Sequence, residues 1–169
     1  MVFYNGWKHH HGIQYLSLEA PNGLRMYLYG PRSYKDSDLG LLRDSEINGK
    51  LFHLQSENIN QYCAYGDGIF PLRSHIWSRN INSIDPLEHI EKTIMTRIRV
   101  VNEWGYGVTK NLFPFVKQKY AQKIRQNPSV INNYAVTTLL GNAFLCLNEG
   151  QTSKYFNCPP HLFDYFQVL

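Results

Sequence analysis

Tyr62-Cys63-Ala64-Tyr65-Gly66-Asp67 is the stretch whose reading decides the fold. Tyr62 to Tyr65 is a short, mostly apolar run, and Gly66-Asp67-Gly68, with Pro71 beyond, breaks it with turn-forming residues. The pattern predicts a brief strand that delivers one carboxylate to a sheet edge, where loops leave room for a metal ion. Asp67 is therefore the anchor from which the rest of the chain is read. Two further acids are candidates to converge on it, Asp38 from upstream and Glu103 from a downstream helix. Three carboxylates gathered against a basic surface point to divalent metal and nucleic acid.

A chain of 169 residues suffices for one compact domain with a real core and is too short for two comfortable ones, so residues 1–169 are read as a single domain. With 43% hydrophobic and 18% charged residues it falls among globular, not disordered, sequences. No apolar run approaches the roughly 20 residues a membrane helix needs, and the first residues lack a signal-peptide apolar core. A soluble intracellular protein without membrane association is expected. The three cysteines, Cys63, Cys146 and Cys158, show neither paired metal spacing nor the even count of a disulfide framework, and read as buried or half-buried thiols.

The net charge of +4 is modest, but its distribution is lopsided. Residues 1–90 hold eight Lys/Arg against nine Asp/Glu, whereas residues 91–169 hold nine against four. Within 92–125 stand Lys92, Arg97, Arg99, Lys110, Lys117, Lys119, Lys123 and Arg125, with Glu103 the single acid among them. Such a run is either a solvated helix face or a phosphate-binding surface.

From the N-terminus, Tyr4-Asn5-Gly6-Trp7-Lys8 contains an Asn-Gly turn signal and leads into His9-His10-His11. Neighbouring side chains on extended backbone point to opposite faces, so the three histidines cannot all reach one ion. Ile13 to Leu18 and Leu24 to Tyr29 predict two strands of an antiparallel hairpin around the turn Pro21-Asn22-Gly23. A helix is expected from Asp38 to Ser45, with Asp38 as its N-cap; capping and metal ligation are both open roles for this carboxylate. Glu46 to Asn60 reads as a polar connection, and Pro71 to Trp77 is too short and mixed to assign.

From Pro86 to about Val108 the pattern is helical. Ile90, Ile94, Ile98 and Val101 mark an apolar stripe expected to be buried, while Lys92, Thr96, Arg99 and Glu103 recur on a nearly opposite side. Arg99 and Glu103, four residues apart, suit either an intrahelical salt bridge or a phosphate-holding cation beside a metal ligand. Phe113, Pro114 and Phe115 end the helix. A last helix is predicted from Pro128, with Val130, Tyr134, Val136, Leu139, Leu140, Phe144 and Leu147 expected in the core and Asn148 and Gly150 marking its end. Strands followed by long helices indicate an α/β or α+β domain with a mixed sheet.

Several blocks resemble the DDE superfamily endonuclease domain of PIF/Harbinger-type transposases. They are Tyr4-Asn5-Gly6-Trp7-Lys8 with His11; Leu28-Tyr29-Gly30-Pro31; Ser37-Asp38-Leu39-Gly40-Leu41-Leu42-Arg43-Asp44-Ser45; Tyr65-Gly66-Asp67 with Phe70-Pro71-Leu72-Arg73; and Arg99-Val100-Val101-Asn102-Glu103-Trp104 with Gly107. The tail, from Leu139-Leu140-Gly141-Asn142-Ala143 to Asp164-Tyr165-Phe166, is similar to the end of that family. The blocks follow in the family's order over nearly the whole chain.

The resemblance implies an α/β, ribonuclease-H-like mixed sheet flanked by helices, whose acids hold two Mg²⁺ or Mn²⁺ ions and cut DNA. Magnesium takes oxygen ligands, and two ions about 4 Å apart clamp the attacking and leaving oxygens of a phosphoryl displacement. By motif, Asp67 and Glu103 are the second and third catalytic acids, Asp38 is an additional metal ligand, and Arg99, with Lys92 and Lys110 of the same basic stretch, faces DNA phosphate. The resemblance also implies nuclear residence and a separate DNA-recognition partner, and leaves homo-oligomerisation open.

In that family the first catalytic aspartate lies on a central strand upstream of the Tyr-Asn-Gly segment, and Met1 to Phe3 contain no acid. Three residues span roughly 10 Å, too little for that strand. The expectation is therefore a domain lacking its first, central strand and impaired in cleavage. The alternatives are a catalytically inactive, transposon-derived DNA-binding or scaffold protein, and a plain α/β binding domain whose acids are caps and salt bridges.

Overall fold

The computed structural model describes residues 4–5, 10–57, 63–71, 75–78, 86–117 and 129–161. Its strands form three two-stranded sheets among the described residues. β1 (Tyr4–Asn5) pairs antiparallel with β2 (His10–His11), placing Tyr4 opposite His11. β3 (Ile13–Glu19) and β4 (Arg25–Ser33) form the expected hairpin. Its turn is closed by Ala20 N donating to Leu24 O at 2.9 Å and by Asn22 Oδ1 accepting from Leu24 N at 3.0 Å. Gly23 supplies the left-handed residue of that turn, at φ +84°.

β5 (Ala64–Gly66) covers most of the anchor run, and Tyr62 lies outside the described residues. It pairs in parallel with β6 (Ile76–Ser78), Ala64 lying opposite Ile76, which gives the unassigned stretch after Pro71 a strand. The mixed α/β composition is thus present in the form of small sheets.

The helices are α1 (Asp38–Asp44), α2 (Ile47–Glu57), α3 (Pro86–Leu112), α4 (Val130–Asn148) and α5 (Gln151–Phe156), with a short 3-10 turn at Pro114–Lys117. α2 replaces the expected connection. Asn48-Gly49 reads as a turn, but Ile47 and Leu51, one helical turn apart, are both buried, and that burial outweighs the weak local propensity. α3 ends where Pro114 removes a donor, Phe113 N still reaching Thr109 O at 3.0 Å. α4 ends at Asn148 as expected; Gly150 then opens α5, its N–H donating to Ser153 Oγ at 3.0 Å.

The chain divides into two units, one of Met1–Leu16 and Tyr29–Val100, the other of Ser17–Leu28 and Val101–Leu169. Among the described residues, Leu41, Leu42, Ile47, Leu51 and Ile76 are the buried apolar side chains of the first unit. In the second they are Leu24, Val101 and Leu145, accompanied by buried Arg25, Thr109, Thr137, Thr138, Asn142, Thr152 and Ser153.

Three expectations about burial are corrected. Of the cysteines read as buried or half-buried, Cys63 and Cys158 are exposed and Cys146 is half-buried. Along α3 only Val101 of the predicted stripe is buried, at 5% exposure, whereas Ile90, Ile94 and Ile98 are exposed. Periodicity locates a coherent face but does not supply what covers it. On α4, Val136, Leu139, Leu140, Phe144 and Leu147 are exposed, and the buried face is Thr137, Thr138, Gly141, Asn142 and Leu145. α4 is apolar on most sides, and the face turned inward is the one with hydroxyls and an amide to offer the hairpin's buried arginine.

Candidate functional site

Asp67 sits directly after β5, exposed, in a turn that Phe70 N closes on its carbonyl at 2.9 Å. Its Oδ1 accepts from its neighbour Gly68 N at 2.8 Å and from Arg99 Nη1 at 3.0 Å. Arg99 comes from α3, and both residues belong to the first unit. The side chains remain 47% and 63% exposed, so water screens the pair. The structure therefore brings together one predicted acid and one predicted phosphate ligand.

Asp38 is the first residue of α1, not its cap: Ser37 caps the helix, its Oγ accepting from Gly40 N at 3.1 Å. A serine immediately before an acid satisfies the free amide and leaves the carboxylate to interact with the positive end of the helix. Asp38 is exposed and has no ion pair among the described residues. Asp44, at the other end of α1, is the acid that is paired, with Arg32 and Arg43.

Glu103 is exposed on α3, on the side opposite Val101, Gly105 and Thr109, and it too has no ion pair among the described residues. The intrahelical Arg99–Glu103 bridge does not form; the guanidinium goes to Asp67. Lys110 is exposed in the last turn of α3, where a cation suits the helix dipole. Lys92 is on the same helix, its side chain outside the described residues.

Asp38, Asp67 and Glu103 are oxygen donors of the kind Mg²⁺ takes. Among the described residues, however, no group of three or more His, Cys, Asp or Glu is arranged to hold a metal ion. The charge facing Asp67 is a guanidinium. As arranged, these residues do not fit a two-ion centre.

A second polar cluster, in the other unit, was not singled out from the sequence. Glu19 and Arg25 flank the hairpin turn and pair at 2.6 Å, with side chains 3% and 4% exposed. The guanidinium also donates to Tyr134 Oη at 3.1 Å and Thr138 Oγ1 at 3.3 Å, and lies 4.9 Å from the centre of the Tyr106 ring. Asn142 locks the backbone of Arg25 in both directions, accepting from its N–H and donating to its carbonyl, each at 3.0 Å. Tyr106 is held in turn by a 2.8 Å hydrogen bond with Ser17.

Glu19 rests against Gly105, where a Cβ would overlap the carboxylate. Among the described residues, Glu19 Oε2 and Arg25 Nε are buried without a hydrogen-bond partner, beside a cavity of about 10 Å³ that Thr109, Thr138 and Asn142 also line. Burial raises the Glu19 carboxyl above its usual range despite the hydrogen bond and charge of Arg25. Burial also lifts Tyr134 to about 12, against the pull of Arg25. Opposite charges flanking a tight hairpin turn were the sequence signal available for this pair.

A family model described as DDE superfamily endonuclease matches residues 1–140. The match spans Asp38, Asp67, Arg99, Glu103 and Lys110, and the tail blocks beyond Leu140 lie outside it. No curated protein and no solved structure matches the chain.

Proposed function

As the chain belongs to the DDE superfamily endonuclease family, we propose that it is a DNA-cutting domain derived from a PIF/Harbinger-type transposase and that its substrate is the phosphodiester backbone. Asp67 and Glu103 are the proposed catalytic acids, and Asp38 joins them as a proposed ligand of Mg²⁺ or Mn²⁺. Arg99, Lys92 and Lys110 are the proposed phosphate contacts, each able to neutralise a backbone charge. Nuclear residence and a separate DNA-recognition protein belong to the same reading.

The observation that supports it best is the meeting of Asp67 and Arg99 at an exposed strand exit inside the matched span. A carboxylate and a guanidinium side by side offer one group to a cation and another to a phosphate. Because Asp67 is paired with a guanidinium and no group of three or more His, Cys, Asp or Glu is arranged to hold a metal ion among the described residues, we propose that this chain cuts DNA weakly.

The test is nicking of supercoiled plasmid by the purified chain with Mg²⁺ or Mn²⁺. Slow, metal-dependent nicking that drops to background in Asp67→Asn and Glu103→Gln is the expected outcome; equal nicking by all three proteins overturns the reading.

The paired state of Asp67 also favours a second reading, a silent DNA-binding or scaffold protein. It predicts duplex binding that weakens steeply with salt and is indifferent to divalent ions.

A further inference from the structure

We propose that the cavity between the hairpin and helices α3 and α4 binds one water molecule, which bridges Glu19 Oε2 and Arg25 Nε and ties them to Thr109. The residues concerned all belong to the second unit. Glu19 and Arg25 meet at 2.6 Å through Oε1 and Nη2, and Arg25 Nη1 goes to Tyr134 and Thr138. That leaves Oε2 and Nε, both buried without a hydrogen-bond partner among the described residues, on side chains 3% and 4% exposed. A buried charged group short of a hydrogen bond is costly, and ordered water is the usual remedy. The cavity beside them, lined also by Thr109, Thr138, Gly141 and Asn142, has a volume of about 10 Å³, about the least that admits one water.

Size and charge decide the occupant. Nothing larger than water fits; an added cation would face the guanidinium, and an added anion the carboxylate. Water is neutral and both donates and accepts, which is what one free acceptor and one free donor require. It accepts from Arg25 Nε–H and donates to Glu19 Oε2. Thr109 Oγ1 completes the shell: its own hydrogen goes to Gly105 O at 3.3 Å, leaving lone pairs for the water's second hydrogen. Thr138 and Asn142 have less to offer, since Thr138 Oγ1 already donates to Tyr134 O and accepts from Arg25, and Asn142 spans the Arg25 backbone. Three hydrogen bonds are the usual complement of a buried water. Among the described residues, Arg25 bonds directly to α4 through Tyr134 and Thr138 but meets α3 through the ring of Tyr106, so the water supplies the polar link from the charge pair to α3.

A high-resolution crystal structure of the full chain tests this directly. Expected is a water within hydrogen-bond distance of Glu19 Oε2, Arg25 Nε and Thr109 Oγ1. A dry cavity overturns the proposal, and so does a guanidinium that has turned to bond Oε2 through Nε and closed the space. Gly141 offers a second test in solution. Beyond its own helix, a Cβ there meets nothing nearer than Thr109 Oγ1 at 4.0 Å, so the protein itself leaves room for a methyl, which would take the water's place and strand both polar atoms. Relative to Gly107→Ala, whose methyl also meets open space, Gly141→Ala is expected to lower the folded-to-unfolded ratio about 5- to 30-fold, read from urea midpoints. Equal gains in stability from the two variants overturn the proposal.

Discussion

Two arginine–carboxylate pairs, Arg25–Glu19 and Arg99–Asp67, use the same chemistry in opposite surroundings. The first is almost sealed, at 4% and 3% side-chain exposure, and its arginine has a web of further partners from α3 and α4. The second is open, at 47% and 63%, and depends on one nitrogen and one oxygen. A sealed pair cannot change partner without leaving a charge stranded, so it serves as architecture. An open pair costs little to exchange, so it can serve a site.

The largest expected effect comes from stranding the sealed charge. Arg25→Met leaves the Glu19 carboxylate buried without its cation and is expected to lose about 3–5 kcal/mol, whereas Arg25→Met combined with Glu19→Gln recovers much of that loss. Arg99→Met at the open pair should change stability by less than about 1 kcal/mol. Urea midpoints of the variants measure the contrast, and a similar cost at both sites would erase it.

Next in size is the ground under Glu19. In a helix interior Gly→Ala ordinarily stabilises by about 0.8–1 kcal/mol, and Gly107→Ala, with open space around the new methyl, is expected to gain that much. Gly105→Ala should instead lose about 1–3 kcal/mol, because the methyl collides with the carboxylate. Thermal melts of the two variants give the comparison its sign.

The smallest effect is on pH dependence. The Glu19 carboxyl is raised above its ordinary 4.5, so between that value and its raised one the folded chain binds more protons than the unfolded chain. The Glu19 contribution to stability is therefore fully present below pH 4.5 and is lost as pH rises through the elevated value. Stability profiles of wild type and Glu19→Gln should diverge over that window, the wild type falling relative to the variant as pH increases. Parallel profiles would mean that Arg25 fully compensates the burial.

What the sequence could reveal followed the range of the interactions involved. The hairpin was legible because Pro21-Asn22-Gly23 encodes its turn locally, and α1 because Ser37-Asp38 starts it and Leu41-Leu42 bury it. Asp67 was legible as a strand-exit acid because glycines on both sides and Pro71 end the run. Its partner was not, since Arg99 is as well spaced for Glu103 on its own helix as for a distant loop. The two isoleucine-rich and leucine-rich faces were found by their spacing but not by their surroundings. α4 shows why: nothing within the helix says that Thr138 and Asn142 will be wanted by an arginine more than a hundred residues earlier. α2 was hidden by Asn48-Gly49, whose turn preference is local while the burial of Ile47 and Leu51 is tertiary.

The overlap between Glu19 and residue 105 has a consequence for how this chain can drift. The two positions share one small volume, so neither is free to vary alone: a side chain gained at 105 is tolerable only after position 19 has shortened or lost its acid. Related chains should therefore change these sites in concert, and a lone replacement of the glycine in one of them would mark a lineage that had already abandoned the buried carboxylate.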